Sequence, residues 1–248
     1  MEPSHQDYLD LADRIAAWLR AYAQKAGAPG YVVGLSGGID SAVVGALCRR
    51  AVGDQTLGVR MPCHSIAEDG QMARLVAEAF QIETVEVDLG PTFDALVAAL
   101  PVDPSHLARA NTKPRLRMAT LYALAQTRGY LVAGTGNKSE LMVGYFTKYG
   151  DGGVDLEPLG ALYKWQVRGL ARALGVPQPI IDRPPSAGIW LGQTDEGEMG
   201  ITYAELDATL AAIEKGQTDG IEPATLAQVQ GMMAQSEHKR HTPPVFGL

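Results

Sequence analysis

Short apolar runs of strand length alternate with helix-length amphipathic stretches along most of this 248-residue chain, and no other feature restricts its architecture as tightly. YVVGLS, residues 31–36, reads as a buried strand, and further strands are expected at 56–62, 83–89 and 130–136. Helical stretches at about 40–52, 68–80 and 112–128 fall between them, with a Pro-bounded segment before the last. A helix over 6–26 comes first, placing Leu9, Ile15, Ala16, Leu19 and Tyr22 near helical spacing and ending before Gly27 and Pro29. The pattern predicts an α/β fold with a doubly wound, mainly parallel sheet flanked by helices. Downstream, 144–160 is rich in Gly, Tyr and Asp and reads as a loop, followed by a helix at 164–174. The Pro/Gly-rich stretch 177–200 reads as a second long loop, and terminal helices are expected near 203–215 and 222–235. No repeat or low-complexity linker breaks the pattern, so residues 1–248 are read as one domain.

Composition narrows the function. Twenty-eight acids against 21 Lys and Arg give a net charge of −7, which disfavours non-specific nucleic-acid or membrane binding. Cys48 and Cys63 are too few for a disulfide framework or a cysteine zinc site. No apolar run approaches the ~20 residues of a membrane span, and the first residues, MEPSHQDYLD, are polar and acidic, unlike a signal peptide. A reduced, cytoplasmic setting is the expectation.

The chemistry concentrates where the first predicted strand meets its helix, in GLSGGIDSAVV, 34–44. Glycines permit close backbone approach, and successive N–H groups at a helix start cradle phosphate oxygens. Ser36 and Ser41 add hydroxyls. GxxxxGK[ST] is absent and no lysine lies in the turn, so this is not a Walker A loop. SGGIDS after a buried strand resembles instead the pyrophosphatase-type ATP loop (PP-loop) of enzymes that adenylylate a substrate and release pyrophosphate. Asp40 is an anomaly beside a triphosphate, and a Mg²⁺ ion bridging carboxylate and phosphate resolves it. Asp40 also reads as an ordinary first-turn acid that favours the helix dipole.

Amidotransferase synthetases, tRNA sulfur-transfer enzymes, argininosuccinate-type ligases and NAD synthetases share such a loop. Four further blocks are similar to the NAD synthetases, in the family's order: NTKPRLRM (111–118), GTGNKSELMVGYFTKYGDGGVDLEPLGALYK (134–164), PSAGIWLGQTDEGEMGITY (185–203) and EHKRHTPP (237–244). The chain thus resembles the ammonia-dependent NAD synthetases, which implies a Rossmann-like PP-loop ATPase domain without a glutamine amidase domain. It implies too that the nicotinate carboxylate of deamido-NAD attacks the α-phosphate of ATP, and that ammonia then attacks the acyl-adenylate to give NAD and AMP. Residue roles carry over by motif. Gly34, Leu35, Ser36, Gly37, Gly38, Ile39, Asp40 and Ser41 form the ATP loop, with Arg60, Thr135, Lys164 and Ser186 as further ATP contacts. Asp40 and Glu140 match the Mg²⁺ ligands. Asp151 matches a position to orient ammonia or take its proton, and a plain turn role before Gly-Gly serves equally.

Deamido-NAD is expected at Tyr22, Asn111, Arg115, Tyr122, Lys148, Asp155, His238 and Lys239. On an ideal helix Asn111, Arg115 and Tyr122 fall within about 40° of one another. Proline suits only a first turn, so Pro114 suggests a helix beginning near Asn111, with that residue as its cap. Tyr22 and Tyr122 read equally well as core tyrosines, and His238–His241 as a solvated tail. Lys148 lies in a glycine-flanked loop with few apolar anchors. Lys164, a lone lysine, rests on the family match, and its replacement is expected to harm turnover more than folding. A homodimer is implied, in which 112–128 with Leu116, Leu121, Leu124 and Ala125 packs against its own sheet, a partner, or both. Two other readings stay open: a tRNA-modifying adenylylating enzyme, which needs a catalytic cysteine and a basic face, and a nucleotide-binding module without catalysis.

Overall fold

The computed structural model describes residues 3–186, 192 and 194–247. The chain opens with α1 (His5–Ala26), started by a capping box between Ser4 and Asp7 and ended by Gly27 at φ 68°. There follow β1 (Tyr31–Gly34), α2 (Ile39–Val52), β2 (Thr56–Arg60), α3 (Ala67–Phe80), β3 (Glu83–Glu86), α4 (Gly90–Ala98), α5 (His106–Arg128) and β4 (Leu131–Ala133). The remainder is helical or irregular: α6 (Lys138–Val143), α7 (Lys164–Leu174), α8 (Gln178–Asp182), α9 (Asp195–Met199), α10 (Tyr203–Lys215) and α11 (Pro223–Gln235).

The strands form one parallel sheet in the order β3-β2-β1-β4, with Tyr31 opposite Thr56 on one side and Leu131 on the other. The chain winds outward from β1 through β2 to β3, then returns to place β4 on the other flank of β1. The order therefore reverses at β1, and ligands of open α/β sheets bind in the crevice such a reversal creates. Side-chain alternation supplies both faces. Tyr31, Val33 and Leu35 join a core built with α1, α2, α3 and α7, whereas Val32, Leu57, Val59 and Val132 pack under α4 and α5. A third cluster, with Val143, Tyr163, Met199, Tyr203, Leu206, Leu210 and Val229, gathers α6, α10 and α11 at the carboxyl end of β4. Cys48 and Cys63 are free and buried. No helix among the described residues is long and apolar enough to cross a membrane.

Several expectations need correction. The Pro-bounded segment contains α4, whose Pro91 sits in the first turn, where no N–H is needed, and whose Phe93 is buried. Helix α5 starts at His106, capped by the Ser105 hydroxyl, so Asn111 is not its cap and Pro114 lies inside it. The Pro114 ring is buried, and an atom added at Gly150 would meet it at 3.0 Å. Burial of the ring thus offsets the lost backbone donor. The stretch 177–200 holds two short helices, α8 and α9, not one loop; residues 187–191 and 193 of its motif lie outside the described residues. The 144–160 segment is irregular, as expected, but it is well anchored: a lone parallel bridge joins Leu156 to Ala133, and Phe146 fills the space beside Gly152.

Candidate active site

At the carboxyl end of β1, where the strand order reverses, a cavity of about 670 Å³ opens between the loop 34–41, the ends of β2 and β4, α5 and the 144–160 segment. Ser36, Gly38, Ile39, Asp40 and Ser41 line one wall. The loop is cross-braced: the Ser36 and Ser41 hydroxyls are 3.0 Å apart, Gly38 N–H donates to Ser36 Oγ, and Ser41 Oγ–H donates to the Gly38 carbonyl. Gly37 is required here, because its φ is +83° and a Cβ would lie 2.6 Å from the Asp69 carbonyl oxygen. Gly38 caps α2 without a side chain, so the first N–H groups of that helix have no capping oxygen. A bare helix start facing a cavity is an anion site by its dipole and its free donors.

Asp40, one residue into α2, meets two elements that follow far later in the chain. Lys164 Nζ donates to Asp40 Oδ2 at 2.6 Å and to Glu140 Oε1 at 3.1 Å. Asn137 Nδ2 donates to Asp40 Oδ1 at 2.9 Å, while its carbonyl oxygen caps α6 by accepting from Glu140 N–H. The Tyr203 hydroxyl, 2.9 Å from Glu140 and 3.1 Å from Asp195, carries the network to α9. Lys164 is 1% exposed, not solvated. Burial lowers its pKa, but Asp40 and Glu140 more than compensate and hold the ammonium above its usual range. Burial pushes Glu140 up to about 7 against the pull of Lys164. Both carboxylates offer hard oxygen donors with lone pairs beyond those their hydrogen bonds use. That set suits a Mg²⁺ ion completed by phosphate oxygens and water. Among the described residues no cluster of three or more His, Cys, Asp and Glu offers a competing metal site.

The other expected residues divide. Gly34, Leu35, Arg60, Thr135, Asp151 and Ser186 line the same cavity, as do Asn111 and Lys239 from the dinucleotide set. Arg60 pairs with Glu86, and its Nε is buried without a partner. Asn111, Arg115 and Tyr122 do share one face of α5, but that face holds the following segment. Thr147 Oγ1 donates to Asn111 Oδ1, Arg115 Nε donates to the Lys148 carbonyl, and the Tyr122 hydroxyl donates to Asp155 Oδ1. Asp155 also accepts from Val132 N–H at 2.8 Å, and Asp151 from Thr147 N–H at 2.9 Å. Lys148 Nζ donates to the His238 carbonyl, and Lys239 Nζ to those of Gly144 and Phe146. The terminal cluster therefore clasps the 144–148 segment. Tyr22 lies on the exposed side of α1 beside Trp18 and, like Arg115, Tyr122, Lys148, Asp155 and His238, outside the cavity lining.

Sequence reasoning missed Asn137, Glu157, Arg117, Asp195 and Tyr203. Glu157 lines the cavity and accepts from Gly136 N–H at 3.0 Å; a Cβ at Gly134 would lie 2.4 Å from its Oε2, so that glycine makes room for it. Burial pushes it up to about 8, with Asp151 and Glu140 adding to the shift. The one available signal was that all five lie inside the conspicuous blocks, Arg117 in NTKPRLRM.

A crevice at a reversal of strand order, a braced glycine loop ahead of a bare helix start, and half-buried acids around a buried lysine define a PP-loop-type adenine-nucleotide enzyme. The NAD synthase family pattern matches residues 11–243. An NH₃-dependent NAD⁺ synthetase of Carboxydothermus hydrogenoformans is 48% identical over 95% of this chain and 96% of its own. Among solved structures, an NMN synthetase from Francisella tularensis matches with a TM-score of 0.91 and 36% identity over 100% of both chains. An NH₃-dependent NAD synthetase from Campylobacter jejuni matches with a TM-score of 0.85 and 26% identity, over 97% of this chain and 99% of that one. The chain belongs to the NAD synthase family, whose members are ATP-dependent ligases.

Proposed function

We propose that this chain is an ammonia-dependent ligase that converts deamido-NAD to NAD, by way of an acyl-adenylate. A carboxylate oxygen of the nicotinate ring attacks the α-phosphorus of ATP, the bond to the β-phosphate breaks, and pyrophosphate leaves. The ammonia nitrogen then attacks the acyl carbon, the carbon–oxygen bond to AMP breaks, and one proton is lost. The observation that carries the reading is the assembly of Asp40, Glu140 and Lys164 beside the bare start of α2, in a chain 48% identical to an NH₃-dependent NAD⁺ synthetase.

The loop N–H groups and Lys164 receive negative charge as pyrophosphate departs, in a site where fixed donors need no reorganisation. Asp40 and Glu140 hold a magnesium ion, which when bound supplies further charge neutralisation to the phosphates. Asp151 faces the cavity and takes the proton released when ammonia adds. Asn111 and Lys239 meet deamido-NAD from within the cavity, whereas Tyr22, Arg115, Lys148 and His238 stand outside its lining. A second copy of the chain supplies the remaining contacts, so the working form is a homodimer, placed in the cytoplasm.

Purified protein with ATP, Mg²⁺, ammonium chloride and deamido-NAD is expected to yield NAD, AMP and pyrophosphate in equal amounts. Its activity should rise as pH climbs towards the pKa of ammonium. Glutamine scrubbed of ammonia should support almost no product. Pyrophosphate release that ignores the nicotinate nucleotide would overturn the reading. The likeness to an NMN synthetase favours one alternative substrate, nicotinate mononucleotide, and the ratio of kcat/KM for the two acids decides between them.

A further inference from the structure

The cations lining the cavity are nearly all accounted for. Lys164 holds Asp40 and Glu140, Arg60 holds Glu86, Arg183 holds Asp69 at 2.6 Å, and Lys239 donates to two backbone carbonyls. Arg74 is exposed at the rim. Arg117 is the exception. It projects from α5 into the cavity wall, half-buried, and its hydrogen bonds are long: Nε to the Met61 carbonyl at 3.3 Å and Nη2 to Ser65 Oγ at 3.4 Å. Among the described residues no Asp or Glu lies within ion-pairing distance of it; the acids it feels, Asp151 and Asp69, lie farther off.

A guanidinium stays charged at every accessible pH, and a charge drawn even partly out of water is costly unless paired. Burial pulls Arg117 below its ordinary pKa, as expected of a cation that has shed water without gaining a counter-ion. An anionic ligand group at this wall removes that cost. The cavity already has a phosphate-binding wall, the loop 34–41 and Lys164. Arg117 stands elsewhere, on α5, which packs on the opposite face of the sheet from α2. The first chemical step must bring a carboxylate against a triphosphate of like charge, and a planar two-pronged cation suits a carboxylate.

We propose that Arg117 binds the nicotinate carboxylate of the acid substrate and positions its attacking oxygen, as a specificity residue that separates the acid from its amide. The inference rests on the acid-activating function proposed above. It requires that wild-type protein bind deamido-NAD more tightly than NAD, which carries the neutral amide at the same place.

Titration calorimetry with deamido-NAD, NAD and ATP on the full chain provides the test, for wild type, Arg117→Met and Arg117→Lys. The preference for acid over amide should fall at least about tenfold in Arg117→Met, and by less in Arg117→Lys, which keeps the charge but loses the fork. ATP affinity should stay within about twofold. An unchanged acid-to-amide ratio, or a loss confined to ATP, overturns the proposal; the latter would place Arg117 on the triphosphate. A wild-type protein that does not distinguish acid from amide overturns it as well. If wild type binds neither nicotinate nucleotide, the ligase reading itself fails, which is a separate result. The long hydrogen bonds make both variants tolerable to the fold, and Arg117→Lys decides the question if Arg117→Met does not express.

Discussion

Lys164 shows how much a single side chain's surroundings alter its expected substitution cost. A lysine normally contributes little to a core, but here its ammonium lies between two carboxylates at 1% exposure. Lys164→Ala leaves both acids facing each other in a low-dielectric pocket. It should therefore destabilise the fold by about 3 kcal/mol or more as well as abolish turnover, and urea unfolding measures the first effect. Asp40→Asn and Glu140→Gln each leave Lys164 one carboxylate, so pyrophosphate release should vanish while the unfolding midpoint shifts less. Glu157 gives a prediction in pH. Its folded carboxyl keeps its proton to about 8, against a value of 4.5 for the free side chain. Between those limits the folded state binds more protons than the unfolded state. Raising the pH therefore costs stability, by up to about 1.4 kcal/mol per unit. Glu157→Gln should be less sensitive by that amount, and a variant that tracks wild type from pH 5 to pH 8 would refute the assignment. Neither Glu157 nor Arg117 was legible beforehand. Each is an ordinary charged residue in its local sequence, and only tertiary packing removes it from water.

At the level of elements, local signals worked where they agreed with packing. β1 and α2 stood out because an apolar run, a glycine turn and a helical stretch follow one another without ambiguity. Pro114 misled, since a proline's preference for first turns is a local rule, and a ring buried against Gly150 overrode it. Helices α4, α8 and α9 were hidden because short helices flanked by Pro and Gly share their composition with loops. The same distinction separates two left-handed glycines. Gly27, at φ 68°, ends α1 with nothing within 4 Å of a Cβ, and Gly27→Ala should cost about 1 kcal/mol, with ATP affinity unchanged. Gly37, at φ +83°, has the Asp69 carbonyl 2.6 Å from that position. Gly37→Ala must displace the loop from α3, so it should cost more than Gly27→Ala and weaken ATP binding at least tenfold. Equal ATP affinities for the two variants would show that the loop tolerates displacement.

For the whole molecule, the apolar residues of α5 are largely committed to its own chain: Ala125 is buried, with Leu116, Leu121 and Leu124 packed about it. The homodimer proposed above therefore draws on other side chains, and Trp18 and Tyr22 of α1 and Leu107 at the start of α5 are exposed and apolar. Sedimentation equilibrium at micromolar concentration should give twice the mass of one chain; a fully active monomer would exclude the pairing.

Asp40 and Lys164 meet although they stand 124 positions apart in the chain, and Lys148 reaches a tail carbonyl 90 residues onward. During synthesis from the amino terminus, β1 and its glycine loop leave the ribosome long before β4, Glu140 or Lys164 exist. Contacts of such sequence separation form late. A nascent chain therefore presents the bare start of α2 without the cation that completes the site. Nucleotide is therefore expected to stabilise the chain only once the seventh helix has emerged.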